Sequence, residues 1–277
     1  MSVGAKPRFA DKIKILRLHG ARDKYHHIIE TLDMSENKTD YSNSVVLIPA
    51  YNEEKDISQV INGIRQNVKD VDIIVVDDAS DDRTAQLGDE LGATVIRHPF
   101  NMGYGAALQT GFKYALENGY KYLVQIDADG QHDPSCIKRL FDEVIDNKNR
   151  TDLVIGSRFL ENANYKTSIL RRTGMLLFGA IASRLIGQRV TDSTSGFQAM
   201  NSRVLRFLSG EVYPADYPDA DLIILLHYKG FKIKEAPIRM FPSKKKSMHS
   251  GWCVFYYVYK MLLSIFVTFL RDSKRRI

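Results

Sequence analysis

The chain predicts an α/β fold built on a mostly parallel sheet flanked by helices, and three observations carry that prediction. Short, continuous apolar runs recur at Val45-Val46-Leu47-Ile48, Ile73-Ile74-Val75-Val76 and Tyr122-Leu123-Val124-Gln125-Ile126, as expected of strands buried on both faces. Between them lie stretches with apolar residues at helical spacing, such as Ile57, Val60, Ile61, Ile64 and Val68. The strands stop abruptly in polar, acidic clusters, and in parallel sheets the carboxyl ends of strands are where sites form.

A chain of 277 residues with 44% hydrophobic content can bury a sizeable core, and the pattern reads as one large domain with appendages. The two cysteines, Cys136 and Cys253, are far apart in unlike surroundings, so neither a disulfide framework nor a cysteine zinc site is supported. The formal net charge of +6 is concentrated at the ends: residues 241–277 carry 8 Lys and Arg against 1 acidic residue, and residues 1–44 carry 8 against 6. The segment between them is slightly acidic, which does not suit a nucleic-acid-binding core; a membrane surface of anionic lipids is the expected partner. The first 20 residues lack the continuous apolar region of a signal peptide, so the expected location is peripheral, on the cytoplasmic face of a membrane.

Taken in order, residues 1–44 read as an appendage: a basic stretch with apolar spacing at Phe9, Ile13, Ile15, Leu16 and Leu18, then a polar linker from Ser35 to Asn43. The main domain is expected over 45–240. Its first strand, Val45 to Ile48, is bounded by Pro49 and followed by a helix from Glu53 to Val68. The second strand ends at Asp77-Asp78; a helical segment from Arg83 to Leu91 and a short strand at Thr94-Val95-Ile96 come next. The loop Asn101-Met102-Gly103-Tyr104-Gly105 opens a helix over Ala106 to Glu117, and the strand after it delivers Asp127-Ala128-Asp129. A fifth strand within 152–160 ends in Ser157-Arg158, and Ile169 to Ile186 is a helix with Arg171 and Arg172 near its start. Thr191 to Phe197 is a polar turn, Ala199-Met200 and Val204-Leu205 continue the core, Tyr217 to Asp221 leads a helix, and Phe231 to Ile238 is a strand.

The tail, 241–277, begins with Lys244-Lys245-Lys246 and continues as an aromatic and aliphatic stretch from Gly251 to Leu270. Spanning a bilayer takes ~20 apolar residues. Lys260 near the middle and the cluster Trp252, Tyr256, Tyr257 and Tyr259 fit better with an amphipathic helix lying on the membrane surface.

Asp-x-Asp at the end of a buried strand places two carboxylates on one side, because side chains alternate with a period of two. Such carboxylates repel unless a cation lies between them. Pro49-Ala50-Tyr51-Asn52-Glu53-Glu54, Asp77-Asp78-Ala79-Ser80 and Asp127-Ala128-Asp129 are then three polar clusters expected on one rim.

In this order and combination the motifs Ile-Pro-Ala-Tyr-Asn-Glu-Glu at 48–54, Val-Asp-Asp-Ala-Ser-Asp-Asp at 76–82, Asn-Met-Gly-Tyr-Gly-Ala-Ala at 101–107, Asp-Ala-Asp-Gly-Gln at 127–131 and Gly-Ser-Arg at 156–158 resemble glycosyltransferase family 2. The branch they resemble holds the inverting GT-A (Rossmann-like) enzymes similar to dolichyl-phosphate mannose synthase. The resemblance implies a nucleotide-sugar donor, either UDP- or GDP-linked, and a lipid-linked acceptor, with polyprenyl phosphate expected. It implies Mg²⁺ or Mn²⁺ acting on the diphosphate as a Lewis acid, with Asp127, Asp129 and Gln131 as metal ligands. It further implies donor contacts from Pro49, Ala50, Tyr51, Glu53, Asp78, Asn101, Gly103, Asp127 and Ala128. The family's late arginine motif is altered here, leaving Lys244 near the arginine position.

For the acceptor side the same resemblance offers two possibilities. A hydroxyl acceptor needs a general base, for which Asp219 and Asp221 are candidates. A lipid phosphate is already ionised and needs cations instead, for which Arg158, Arg171 and Arg172 are candidates. Transfer to a sugar hydroxyl of a growing glycan, and a catalytically silent nucleotide-sugar-binding scaffold at the membrane with a membrane protein partner, are the competing functions.

Overall fold

The computed structural model describes residues 41–146, 150–160, 169–210, 220–242, 259–265 and 267. The N-terminal basic stretch, Asp219, Lys244 to Lys246, the aromatic run at 252–257 and the basic C-terminus lie outside the described residues, as do the side chains of Arg171 and Arg172.

Among the described residues one seven-stranded sheet forms from β1 (Ser44–Ala50), β2 (Asp72–Asp77), β3 (Thr94–Arg97), β4 (Tyr122–Gln125), β5 (Leu153–Ser157), β6 (Gln198–Asn201) and β7 (Ile233–Pro237). The spatial order is β3-β2-β1-β4-β6-β5-β7. Helices α1 (Ile57–Asn67), α2 (Thr84–Glu90), α3 (Tyr104–Glu117), α4 (Ile137–Ile145), α5 (Ile169–Ile186), α6 (Ser202–Leu208) and α7 (Ala220–Tyr228) cover it.

Strand alternation divides the core. Val45, Leu47, Ile74, Val76 and Leu123 point to one face, where Phe112 of α3, Phe178 and Ala182 of α5 and Ile223 of α7 close over them. Val46, Ile48, Ile73, Val75 and Val124 point to the other, under Ile57, Val60, Ile61 and Ile64 of α1 and Ile137, Leu140 and Phe141 of α4. Every residue of β1 is buried, which is why its sequence is apolar throughout rather than alternating.

Three local differences from the sequence expectation have physical causes. The first helix begins at Ile57 rather than Glu53: the Ile57 amide closes a single turn on the Glu53 carbonyl at 2.9 Å ahead of it, and the Glu53 and Glu54 amides are tied to Thr84 Oγ1 at 2.7 Å and Asp82 Oδ2 at 3.1 Å. Helix α4, which the sequence reading left unassigned, shows Ile137, Leu140, Phe141 and Val144 on one buried face. The sheet is mostly parallel, as expected, and the sequence reading did not foresee where it departs: β6 runs antiparallel to both β4 and β5, while β7 is parallel to β5. The chain enters β6 from the carboxyl-end rim, pairing Gln198 with Gln125, and so has to run back toward Tyr122.

At the far end of the described chain, helical residues 259–265 place Met261 and Ile265 in the core beside α7, and Ser264 Oγ donates to Asp221 Oδ2 at 2.5 Å. Tyr259, Leu262, Leu263 and Val267 are exposed on the other side. Among the described residues no helix is long and apolar enough to cross a membrane.

Helix α3 lies close on β1 at one point: a Cβ added to Gly111 would stand 2.3 Å from Leu47 Cδ1. Gly111→Ala is therefore expected to lower stability by ~1–3 kcal/mol through overpacking. The double variant with Leu47→Ala should lose less than the sum of the two single losses, since the removed side chain vacates the space. Urea unfolding of the four proteins measures this, and strict additivity would contradict the contact.

Candidate active site

The rim is assembled by parallel register. Ala50 pairs with Asp77 and Leu47 with Gln125, so β1, β2 and β4 end side by side. The loops after β1 and β2 are then tied together: the Asn52 amide donates to Ser80 Oγ at 2.9 Å, and the Asp81 amide to Asn52 Oδ1 at 2.9 Å. Burial alone would raise Asp82, but bonds from Thr84 and the Glu54 amide outweigh it and hold the carboxyl below its ordinary range. Asn52 and Ala79 both take positive φ, 55° and 62°. For alanine this is a strained conformation, retained where the surroundings over-determine it.

Asp78 follows β2 and is buried. Its Oδ1 accepts from His98 Nδ1 at 2.7 Å and from the Met102 amide at 2.9 Å, and its Oδ2 accepts from the Gly103 amide at 2.8 Å. His98 Nε2 meets Thr110 Oγ1 of α3 at 2.9 Å. Gly103 has φ 94° and ψ 160°, open to glycine alone, and this conformation lets α3 start immediately at Tyr104.

From the start of α3, the Tyr104 hydroxyl donates to Asp127 Oδ1 at 2.9 Å. Asp127 and Asp129 follow β4, and Gln131 binds Asp129 twice: its amide N–H donates to Oδ1 at 3.0 Å and its side-chain Nε2 to Oδ2. Burial, and then the charge of Asp127, push the Asp129 carboxyl up. His132, buried against the Phe197 ring at 4.9 Å, is pushed down by burial against the opposing pull of Asp127 and Asp129. A neutral ring agrees with the Asp127 amide donating to its Nδ1 at 3.4 Å, so the 3.6 Å approach of Nδ1 to Asp127 Oδ2 is not an ion pair.

These elements enclose a cleft of about 440 Å³. Pro49, Ala50, Tyr51, Glu53, Asp78, Asn101, Gly103, Asp127 and Ala128, which the family resemblance assigns to the donor, line it, as does Asp129; Lys244, assigned to the donor as well, lies outside the described residues. Gln131 stands behind Asp129 as its hydrogen-bond partner. The cleft also takes Tyr104, Ala107, Gln125, Thr194 and Gly196, which the sequence reading gave no role. Thr194 and Gly196 arrive on the turn into β6. Ser-Thr-Ser-Gly just before a buried strand was the available signal.

Two of the acceptor-side candidates are engaged within the fold. Arg158 is buried, and its fork is taken by Asp192: Nε meets Oδ2 and Nη2 meets Oδ1, both at 2.6 Å, while Nη2 also donates to Thr194 Oγ1 at 2.8 Å. Its guanidinium therefore braces the Thr194 wall rather than standing open to a phosphate. Glu235 supports the same turn, accepting from the amides of Thr191 and Asp192 at 2.8 Å, and burial pushes its carboxyl up. Asp221 does not line the cleft: it is buried in α7 and accepts from Ser264 Oγ.

The segment that builds this cleft is matched by a family model, Glycosyl transferase family 2, over residues 45–208. The chain belongs to glycosyltransferase family 2. UDP-N-acetylglucosamine–dolichyl-phosphate N-acetylglucosaminyltransferase of Methanococcus voltae is 33% identical over 213 residues, covering 70% of this chain and 84% of its own. Polyprenol monophosphomannose synthase of Mycolicibacterium smegmatis is 33% identical over 204 residues, covering 70% and 76%. Among solved structures, glucosyl-3-phosphoglycerate synthase of Mycobacterium tuberculosis in complex with UDP superposes with a TM-score of 0.60 at 22% identity, over 81% of this chain and 79% of that one, and shares the GT-A-like fold.

Among the described residues no group of three or more His, Cys, Asp and Glu gathers as a metal cage. For a magnesium-like ion none is needed, since such ions are held by one or two carboxylates together with substrate phosphates and water. Asp127 and Asp129, with the mutual repulsion that raises Asp129, fit that donor set.

The turn into β6 gives a direct test of the cleft. A Cβ on Gly196 would lie 3.1 Å from the Tyr104 hydroxyl and 3.3 Å from Asp127 Oδ2. Gly196→Ala should weaken nucleoside diphosphate binding in the presence of Mn²⁺ by ~10-fold or more, with little change in melting temperature, because a methyl pressed on a carboxylate displaces its polar partners. Titration calorimetry checks the binding, and unchanged affinity would contradict the crowding.

Proposed function

We propose that this family 2 glycosyltransferase moves a sugar from a nucleoside diphosphate donor to a polyprenyl phosphate, with inversion, at the cytoplasmic face of a membrane. The observation that carries the donor half is the convergence in one cleft of Asp78 from the end of β2 and Asp127 and Asp129 from the end of β4, the two strands that flank β1. Asp127 and Asp129 would hold Mg²⁺ or Mn²⁺, which when bound neutralises the charge that develops on the leaving diphosphate. Tyr104 keeps the Asp127 carboxylate directed into the cleft, and Gln131 does the same for Asp129. Tyr51, exposed at the cleft mouth, offers a ring to the base, and Glu53 a carboxylate to ribose.

In the proposed transfer an acceptor phosphate oxygen attacks the anomeric carbon from the face opposite the diphosphate. The new carbon–oxygen bond forms as the old one breaks, and the electron pair leaves with the nucleoside diphosphate. An ionised phosphate needs no base, whereas a glycan hydroxyl does. Asp221 faces the helical residues 259–265 instead of the cleft, and Asp219, the other candidate base, lies outside the described residues. The names of the Methanococcus and Mycolicibacterium relatives agree with a lipid-phosphate acceptor. Arg171 and Arg172, in the first turn of α5, are the cations we assign to that phosphate.

For the membrane, the exposed residues Tyr259, Leu262, Leu263 and Val267 recur at helical spacing, opposite the core-packed Met261 and Ile265. The sequence brackets this stretch with Lys244 to Lys246 and Arg271 to Arg276, charges suited to anionic lipid.

Asp129→Asn should reduce transfer by ~10²-fold or more without altering the melting temperature, and chelation of divalent ions should silence the wild type. Turnover persisting in excess EDTA would refute the metal. Replacing the stripe, Leu262→Glu with Leu263→Glu, is expected to abolish co-sedimentation with anionic liposomes at a stability change within ~0.5 kcal/mol, the usual range for surface changes. Unchanged co-sedimentation would move membrane attachment elsewhere.

A further inference from the structure

Gln125 is an amide placed where the fold otherwise puts hydrocarbon. It closes β4, lines the cleft and is only 2% exposed, and among the described residues its side chain makes no hydrogen bond. It pairs in register with Leu47 of β1, and the residues that share its face of the sheet, Leu47, Val76 and Leu123, belong to the apolar core. A buried amide without partners is costly, and such groups in folded proteins are ordinarily bonded. Pro49 and Ala107, which line the cleft with it, carry no side-chain donor or acceptor to meet it.

Thr194, in the same lining, has a hydrogen to give. Arg158 Nη2 donates to its Oγ1 at 2.8 Å, and a guanidinium has no acceptor to take the hydroxyl's own hydrogen. Among the described residues nothing else bonds that hydroxyl. Thr194 arrives on the turn into β6, the strand that pairs Gln198 with Gln125. The two residues therefore belong to the β4–β6 side of the cleft, whereas Tyr51, Glu53 and Asp78 belong to the ends of β1 and β2.

The amide offers two donors and an acceptor, and the threonine one donor. Phosphate oxygens only accept and would leave the amide carbonyl unmatched, while a hydroxyl both donates and accepts. We propose that Gln125 and Thr194 form a hydroxyl-reading subsite that holds the transferred sugar of the donor and takes part in selecting it. This rests on the donor site proposed above and extends it from the nucleotide to the sugar. Ribose is the other source of hydroxyls in a nucleotide sugar. The β4–β6 position, across Asp127 from Tyr51 and Glu53, assigns the pair to the sugar beyond the diphosphate.

Titration calorimetry of the full-length protein with Mn²⁺ tests this, using UDP, GDP, UDP-glucose, UDP-N-acetylglucosamine and GDP-mannose. For the nucleotide sugar that binds best, Gln125→Met, which keeps the length and removes the amide, should weaken binding by ~10-fold and leave the bare nucleoside diphosphate unchanged. Thr194→Val should weaken the same nucleotide sugar, and Thr194→Ser, which keeps the hydroxyl, should restore it. Removing one hydroxyl of that sugar should cost the wild type a similar factor and make no difference to Gln125→Met. Equal losses for nucleotide sugar and bare nucleoside diphosphate would assign the pair to ribose or to packing and overturn the sugar subsite, as would no loss in either. If Gln125→Met does not fold, the wild type decides: indifference to the removal of every sugar hydroxyl in turn overturns the subsite. A wild type that binds neither UDP nor GDP overturns the donor site itself, and the subsite with it.

Discussion

Two carboxylates held two residues apart at the end of a buried strand repel each other, and the rest of the rim is arranged around that repulsion. Asp127 and Asp129 are carried into place by β4, whose preceding residues are buried and fixed in register with β1. Each is then braced by one neighbour, Tyr104 on Asp127 and Gln131 on Asp129. Such bracing fixes position without neutralising charge: Asp129 stays raised by burial and by Asp127, which is the condition a divalent ion relieves.

The same hydrogen bonds join the two halves of the cleft. Asp78, at the end of β2, fastens the loop that starts α3, and the first residue of α3 is the tyrosine that reaches Asp127. A change at Asp78 is thereby transmitted over a few bonds to Asp127. On the opposite wall, Gly196 packs against both Tyr104 and Asp127, and the Arg158–Asp192 pair and Glu235 hold the turn that delivers it. The turn into β6 and the start of α3 meet at one carboxylate, Asp127.

Much of this was legible in the sequence because strand ends in a parallel sheet share a rim. Continuous apolar runs located β1, β2 and β4, and the polar residues following them had to converge. What escaped was long-range. The direction of β6 cannot be read from the four residues Gln198 to Asn201, so the arrival of Thr194 and Gly196 at the cleft was invisible. Arg158 reads as a free cation until the fold brings Asp192 to it across 34 residues of chain. Asp221 reads as an acid near an acceptor site, since spacing alone does not say which neighbour a helix start faces; the partner, Ser264, is 43 residues away. Helix α4 is a different case, for its apolar spacing was present in the sequence and simply follows too closely on the acidic motif to stand out.

The claim on which the account stands is that the cleft loads a sugar which then leaves on a lipid phosphate. Mass spectrometry of the lipid fraction, after incubating the purified protein with a polyprenyl phosphate, a divalent ion and a panel of nucleotide sugars, measures it most directly. The account predicts a polyprenyl phosphate heavier by one sugar residue with at least one donor, and free nucleoside diphosphate in equal amount. Unmodified lipid with every donor, alongside sugar transferred to a glycan hydroxyl or none transferred at all, would contradict it.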